Sequence, residues 1–196
     1  MERIQPFDLV IFLALLAMFV VGYAQGVVRR LLGIGAILFA LILGAQLRQP
    51  VGQYLTNQWT TIAPAYSFMV GFGAVFVAAA VTLSLAIQLT YRPAPLFPKY
   101  PVLDEVLGGL LGVLEGIIIL VAILLITDPY YTAAAFRDNA GFGEFRLLRS
   151  VHEWLDPTLT VDLLRNTFVP VILAVLGFLF PQDVRDTFAR VLLARR

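Results

Sequence analysis

The stretch Leu103 to Thr127, LDEVLGGLLGVLEGIIILVAILLIT, constrains this chain more than any other. It is long enough to span a bilayer, for which about 20 predominantly apolar residues suffice. It carries a glycine ladder, Gly108, Gly112 and Gly116, at four-residue spacing. At 100° per residue these glycines lie within an arc of about 80°. Asp104, Glu105 and Glu115 fall on or beside that arc, while the opposite side is mostly Leu, Ile and Val. A helix facing only lipid has no use for such a face. Small residues let another helix approach closely, and a carboxylate at depth must point to protein or water. The expectation is a packed, all-α membrane protein.

Composition agrees. Hydrophobic residues make up 60% and charged residues 14%, against about 25% charged in a typical soluble domain. Mean hydropathy is +0.86. The net charge of +1 and the lack of a basic tract give no footprint for nucleic acid. The absence of cysteine excludes disulfides, iron–sulfur clusters and thiolate chemistry. The length of 196 residues allows one membrane domain plus a modest extra segment.

Four segments qualify as spans: about Phe7 to Tyr23, Gly26 to Leu47, Ile62 to Leu89, and Leu103 to Thr127. They delimit a transmembrane domain over residues 1–129, followed by a helical region over 130–196. The joint Gly22 to Gly26 is so short that the first two helices are expected to form a tight antiparallel hairpin. Pro93, Pro95, Pro98 and Pro101 make the third connection a stiff, extended strap, and a docking strip is the sharper alternative. Gly141 to Leu155 reads as a short amphipathic helix with Phe142, Phe145, Leu148 and Leu155 on one side. Asp156-Pro157 resembles a helix start, a cap followed by proline. The apolar run Phe168 to Phe180 contains Pro170 and Gly177 and is short. It is read as re-entrant or interfacial, with a fifth span as the alternative. Gln182 to Arg196 sets Val184, Phe188, Val191 and Leu192 against Arg185, Arg190 and Arg195, which suits a helix on the membrane surface. Arg3 and the run Phe7 to Val21 loosely imitate a signal peptide, but Asp8 and the immediate second helix argue against cleavage. Arg29, Arg30, Arg92 and Lys99 in two short loops place those loops in the cytoplasm, although Arg137, Arg146 and Arg149 pull the other way.

Two further small-residue faces stand out: Ser67, Gly71, Ala74, Ala78 and Thr82 on the third helix, and Gly26, Gly33, Ala40 and Gly44 with Arg30 on the second. They can serve only to hold helices together, or they can line a polar site. Glu115 bears on that choice. A charge at mid-membrane costs roughly 2.5–3.5 kcal/mol on insertion scales, so it needs a partner, a proton or water. Arg29 and Arg30 enter from the same side as Asp104 and Glu105. The expected cluster is Arg30 with Asp104 or Glu105, with Glu115 about 16 Å deeper. Asp8 and Arg29 complete the candidate polar set, and Gly22, Gly26, Gly33, Gly108, Gly112 and Gly116 form the candidate packing set.

No soluble-enzyme constellation is present. His152 is the single histidine and is read as a surface or interfacial residue, since one histidine cannot supply the usual metal ligands. Ser67, Ser84 and Ser150 lie in no nucleophile-elbow pattern, and no glycine-rich phosphate loop with lysine occurs. No catalytic residue, metal or cofactor is expected. Trp59 and Trp154, with Tyr54, Tyr66, Tyr130 and Tyr131, read as interface anchors.

Phe7-Asp8-Leu9, then Gly22-x3-Gly26-x-Val28-Arg29, then Leu103-Asp104 followed by the ladder Gly108, Gly112, Gly116 resembles the CvpA family, named for colicin V production. The resemblance covers roughly Phe7 to Pro129. It implies a bacterial inner-membrane protein with four core helices, linked to toxin production and to envelope and stress phenotypes. Some family members carry the domain ahead of a trypsin-like protease, and no such domain is present here. Where the family pattern often holds arginine, Glu105 and Glu115 are acidic. That reverses the charge of the helix-four face and removes the basis for carrying over an anion-handling site. The resulting reading is a non-enzymatic protein acting through helix assembly, with the bilayer and a second copy or another membrane protein as partners. A small channel or transporter using the glycine faces and Glu115 is the rival, and a membrane enzyme comes third.

Overall fold

A computed structural model describes residues 5–59, 64–91, 96–97, 99–131, 146–182 and 185–186, and among these there is no strand. The helices are α1 (Pro6–Gln25), α2 (Val27–Gln58), α3 (Pro64–Thr90), α4 (Pro101–Tyr131) and α5 (Arg146–Leu155). A terminal run follows: α6 (Leu159–Leu163), a π turn (Leu164–Phe168), α7 (Val169–Leu176) and a 3-10 turn (Gly177–Leu179). Among the described residues, five stretches are long and apolar enough to cross a membrane: α1, α2, Tyr66–Thr90, α4 and Leu159–Leu179. Their outward faces are apolar. Leu9, Phe12, Leu13 and Val20 on α1 and Val77, Val81 and Leu85 on α3 are all exposed, a surface that lipid covers and water would not tolerate.

Proline at the first position starts α1, and Asp8 in its first turn accepts the Gln5 backbone N–H at 2.9 Å. One residue, Gly26, separates α1 from α2. Its φ of 75° and ψ of 174° lie in backbone space that essentially only glycine occupies. The joint is as tight as the sequence suggests, but the hairpin is not. α1 packs along α4 and hardly touches α2, because α4 sits between them with glycines on the side toward α1.

α4 is the most buried of the long helices, and Val121 and Ala122 are fully enclosed. The hydrophobic core that it shares includes Ile37, Ala40 and Leu41 from α2, Phe72 and Phe76 from α3, and Val161, Leu164 and Val169 from the terminal run. α2 and α3 pack through holes left by glycine. A Cβ on Gly44 would stand 2.9 Å from the Phe72 ring, and one on Gly52 would stand 2.9 Å from the Phe68 Cα. The α3 stripe divides accordingly: Ser67 and Gly71 are buried, whereas Ala74, Ala78 and Thr82 face outward. α2 continues past Leu47 and through Pro50 to Gln58, beyond its apolar stretch. The reason is packing, since Gly52 receives Phe68 and Gly71 there. Tyr66, Tyr130 and Tyr131 are core residues rather than interface anchors, while Tyr54 and Trp154 are exposed.

The C-terminal region differs from the sequence reading in two ways. The helix after Asp156-Pro157 is capped by Thr158, whose hydroxyl accepts the Val161 N–H, and Asp156 is bonded elsewhere. The helical run begins at Leu159, nine residues ahead of the Phe168 expected from apolarity, because Arg165 in its middle is neutralised by a carboxylate. Phe142, Phe145, the strap prolines Pro93, Pro95 and Pro98, and most of the Gln182 to Arg196 tail lie outside the described residues.

Both ends of this run attach at matching places. Thr160 donates from its backbone N and its hydroxyl to Asp8, at 3.0 and 2.7 Å. The Leu179 carbonyl accepts from the Gln46 side chain at 2.7 Å. Asp8 lies 18 residues before Gly26 and Gln46 lies 20 after it, distances along the two helices of about 27 and 30 Å. A reporter fused after residue 182 is therefore expected on the same side of the membrane as the N-terminus, as for a re-entrant or interfacial run. Location on the opposite side would mean that the run crosses.

Candidate functional site

The glycines of α1 and α4 form one seam. A Cβ on Gly108 would stand 2.9 Å from the Gly26 Cα, and one on Gly22 would stand 3.1 Å from the Gly112 Cα. Gly116 continues the seam against Leu15, at 2.9 Å, and Gly109 receives the Phe19 ring at 2.7 Å. The nearest atoms facing Gly22, Gly108 and Gly112 are backbone, the close approach that small residues permit, whereas Gly26 also faces the Asp104 carboxylate. Gly33 has another role. It faces the Glu115 carboxylate, with Oε1 2.8 Å from where its Cβ would be.

Glu115 is joined to Arg30 by an ion pair between Oε2 and Nη1, and the two side chains are 10% and 6% exposed. Arg30 stands one turn into α2 on the face toward α4, so its long stem carries the guanidinium inward. Glu115 is about 21 Å along α4 from Pro101 and is buried there. Pairing lets each ion offset the desolvation of the other. Thus Arg30 takes Glu115, the deeper carboxylate, rather than Asp104 or Glu105. The reason is local: both nearer carboxylates have other partners. Asp104 is buried against Gly26 and accepts the Leu96 backbone N–H at 3.0 Å. Glu105 is hydrogen-bonded to the Tyr23 hydroxyl. Arg29 is half-buried and has no part in the pair. Asp8 stands apart from the cluster, tying the start of α1 to the start of α6. Two helix N-termini meet that carboxylate, and both favour negative charge.

A second polar centre is absent from the sequence reading. Asp128, near the end of α4 and 2% exposed, accepts from Arg165 Nε and Nη2, both at 2.7 Å. Arg165 Nη1 donates to Asp156 at 2.8 Å. His152 Nε2 lies 3.1 Å from Asp128 Oδ1, and the His152 ring sits 4.9 Å from that of Tyr131. His152 is thus buried, 7% exposed, rather than a surface residue. Arg165 falls in the π turn, a local widening of the helix that recurs where a side chain must be re-aimed. Its bidentate grip on Asp128 suits a planar guanidinium. The available signal was a lone arginine between apolar residues, Leu163-Leu164 before it and Phe168-Val169 after it. Among the described residues no group of histidine and carboxylate side chains could hold a metal. Asp128→Asn is expected to destabilise the purified protein by about 1–3 kcal/mol, because the buried Arg165 loses its bidentate carboxylate and keeps only the partly exposed Asp156. An unchanged unfolding midpoint in detergent would refute that role.

Residues 7–137 match the family model described as Colicin V production protein. No curated protein and no solved structure matches the chain. The matched stretch contains the glycine seam, the Arg30–Glu115 pair, Asp8, Asp104 and Asp128, and ends before His152, Asp156 and Arg165. The motif resemblance, a match over well more than half the chain and a bundle of long apolar helices agree: the chain belongs to the Colicin V production (CvpA) family and is a multi-pass membrane protein.

Proposed function

We propose that this is a non-enzymatic protein of the bacterial inner membrane that supports toxin production or secretion, or envelope homeostasis, through helix assembly. One observation carries the reading. The intramembrane carboxylate Glu115 is closed off by Arg30 and Gly33, so the polar pair serves to hold α2 on α4. A transporter or channel would need that carboxylate to face water and to exchange partners. The outward stripe Ala74, Ala78 and Thr82 offers a second copy or another membrane protein a surface for close packing.

The test is complementation of a strain lacking the protein, reading colicin V release and sensitivity to envelope stress. R30L/E115L is expected to keep most of the wild-type activity, because assembly needs the packing and not the charges. Loss of activity with normal insertion and folding would replace this reading by a path through the pair.

A further inference from the structure

The long helices form two pairs. α1 packs on α4 and α3 packs on α2, each through glycines, and the pairs meet along α2 and α4. At one end the Gly26 joint and the Arg30–Glu115 ion pair hold them together. At the other end the terminal run bridges them. Thr160 is bonded to α1, Arg165 to α4 and Leu179 to α2. The family match stops at residue 137, so Asp8, Gln46 and Asp128 lie inside it and the run that they receive lies outside.

The two halves of the run are held unequally. Residues 159–168 are fastened by two carboxylates: Asp8 accepts from the Thr160 N–H and hydroxyl, and Asp128 accepts from Arg165 Nε and Nη2. Such charge-assisted bonds are roughly twice as strong as neutral ones. This half also lies close against α1 and α4, whereas the close backbone neighbours of α7 are chiefly in the run itself. Among the described residues, the polar hold of the second half on the bundle is the Leu179 carbonyl with the exposed Gln46 amide, a neutral bond, and Phe180 is buried next to it. Val171, Val175 and Phe178 face outward. Between the halves the helical ladder is interrupted. The Val169 N–H reaches back to the Leu164 carbonyl, and Pro170 has no N–H to give. Helices bend at π turns and prolines.

We infer that residues 169–180 are a hinged latch between the two helix pairs. The latch turns at the π turn and Pro170 while residues 159–168 stay fixed. Closed, it ties α2 to α1 and α4 at the end far from Gly26. Open, it releases Gln46, and α2 with α3 parts from α1 with α4 at that end. The Gly26 joint and the Arg30–Glu115 pair are then the pivot.

The experiment is amide hydrogen exchange of the full chain in lipid nanodiscs, wild type against Gln46→Leu. Gln46 is exposed, so the variant folds. Exchange over residues 169–180 is expected to rise about three- to tenfold, the worth of one neutral hydrogen bond, with residues 159–168 unchanged. A second readout follows the helix pairs. Spin labels on cysteines at the exposed positions Val10 and Tyr54 report the latch end, and labels at Val21 and Leu31 report the joint end. Gln46→Leu is expected to add a longer distance to the first pair of labels and to leave the second unchanged. An equal rise in exchange along the whole run, no rise at all, or the same change in both label pairs overturns the latch.

Discussion

Arg30→Leu will cost the folded bundle about 3–5 kcal/mol, the usual penalty for stranding one member of a buried ion pair. Glu115→Leu will cost less, and R30L/E115L will recover most of either loss. The asymmetry comes from depth. Without Arg30, the Glu115 carboxylate is held mid-helix, buried against Gly33 on a short stem. Without Glu115, Arg30 is only one turn from the Gly26 joint, and its long stem can swing the charge toward the headgroups. The double replacement removes both desolvation costs and leaves apolar side chains between α2 and α4, which is often neutral or favourable. Unfolding of the purified protein in mixed micelles gives the three free energies, and the double-mutant cycle isolates the coupling. Additive losses would mean that the two charges do not hold each other.

The seam will be as sensitive as the pair. Gly112→Ala places a methyl group against the Met18 carbonyl and 3.2 Å from the Gly22 Cα, and neither backbone can yield without moving a helix. Overpacking of this kind costs about 1–3 kcal/mol, and Gly112→Val should exceed it. Gly26→Ala adds a second fault, because its φ of 75° and ψ of 174° disfavour any Cβ and the Asp104 carboxylate occupies the space. Gly35 is the internal control, since a Cβ there meets nothing within 4 Å. Gly35→Ala should leave the unfolding midpoint unchanged or slightly raised, as alanine is the better helix former. Equal losses at Gly35 and Gly112 would remove the case for a close α1–α4 crossing.

Much of this was legible in the sequence. Four spans, the Gly26 joint and the ladder on α4 follow from apolar length and small-residue spacing. Glu115 announces itself because a mid-membrane charge has few places to go. Its partner was not legible. Periodicity puts Arg30 on the right face but does not say how far its stem reaches, or that Tyr23 and the Leu96 N–H have already engaged the nearer carboxylates. Nor does local pattern reveal that Gly33 exists to admit a carboxylate rather than a helix. The Asp128–Arg165 centre was missed for a related reason. An apolar window stops at each charge, so Asp128 looked like the end of one segment and Arg165 like the linker before another. Only the fold, 37 residues apart along the chain, sets the two charges 2.7 Å apart and removes the reason to stop at either.

The closure of Glu115 is tested most directly by cysteine accessibility on α4. The chain has no native cysteine, so the background is clean. Single cysteines at Leu111 and Ile119, one turn either side of Glu115, are compared with one at Val102, which is 64% exposed near the start of the helix. The readout is labelling by a membrane-impermeant thiol reagent in permeabilised cells, where both membrane faces are reached. Rapid labelling at Val102 with none at Leu111 or Ile119 is the expected result, a dry α2–α4 contact sealed by the ion pair. Labelling at Leu111 and Ile119 as fast as at Val102 would reveal an aqueous path along that face and contradict the assembly reading.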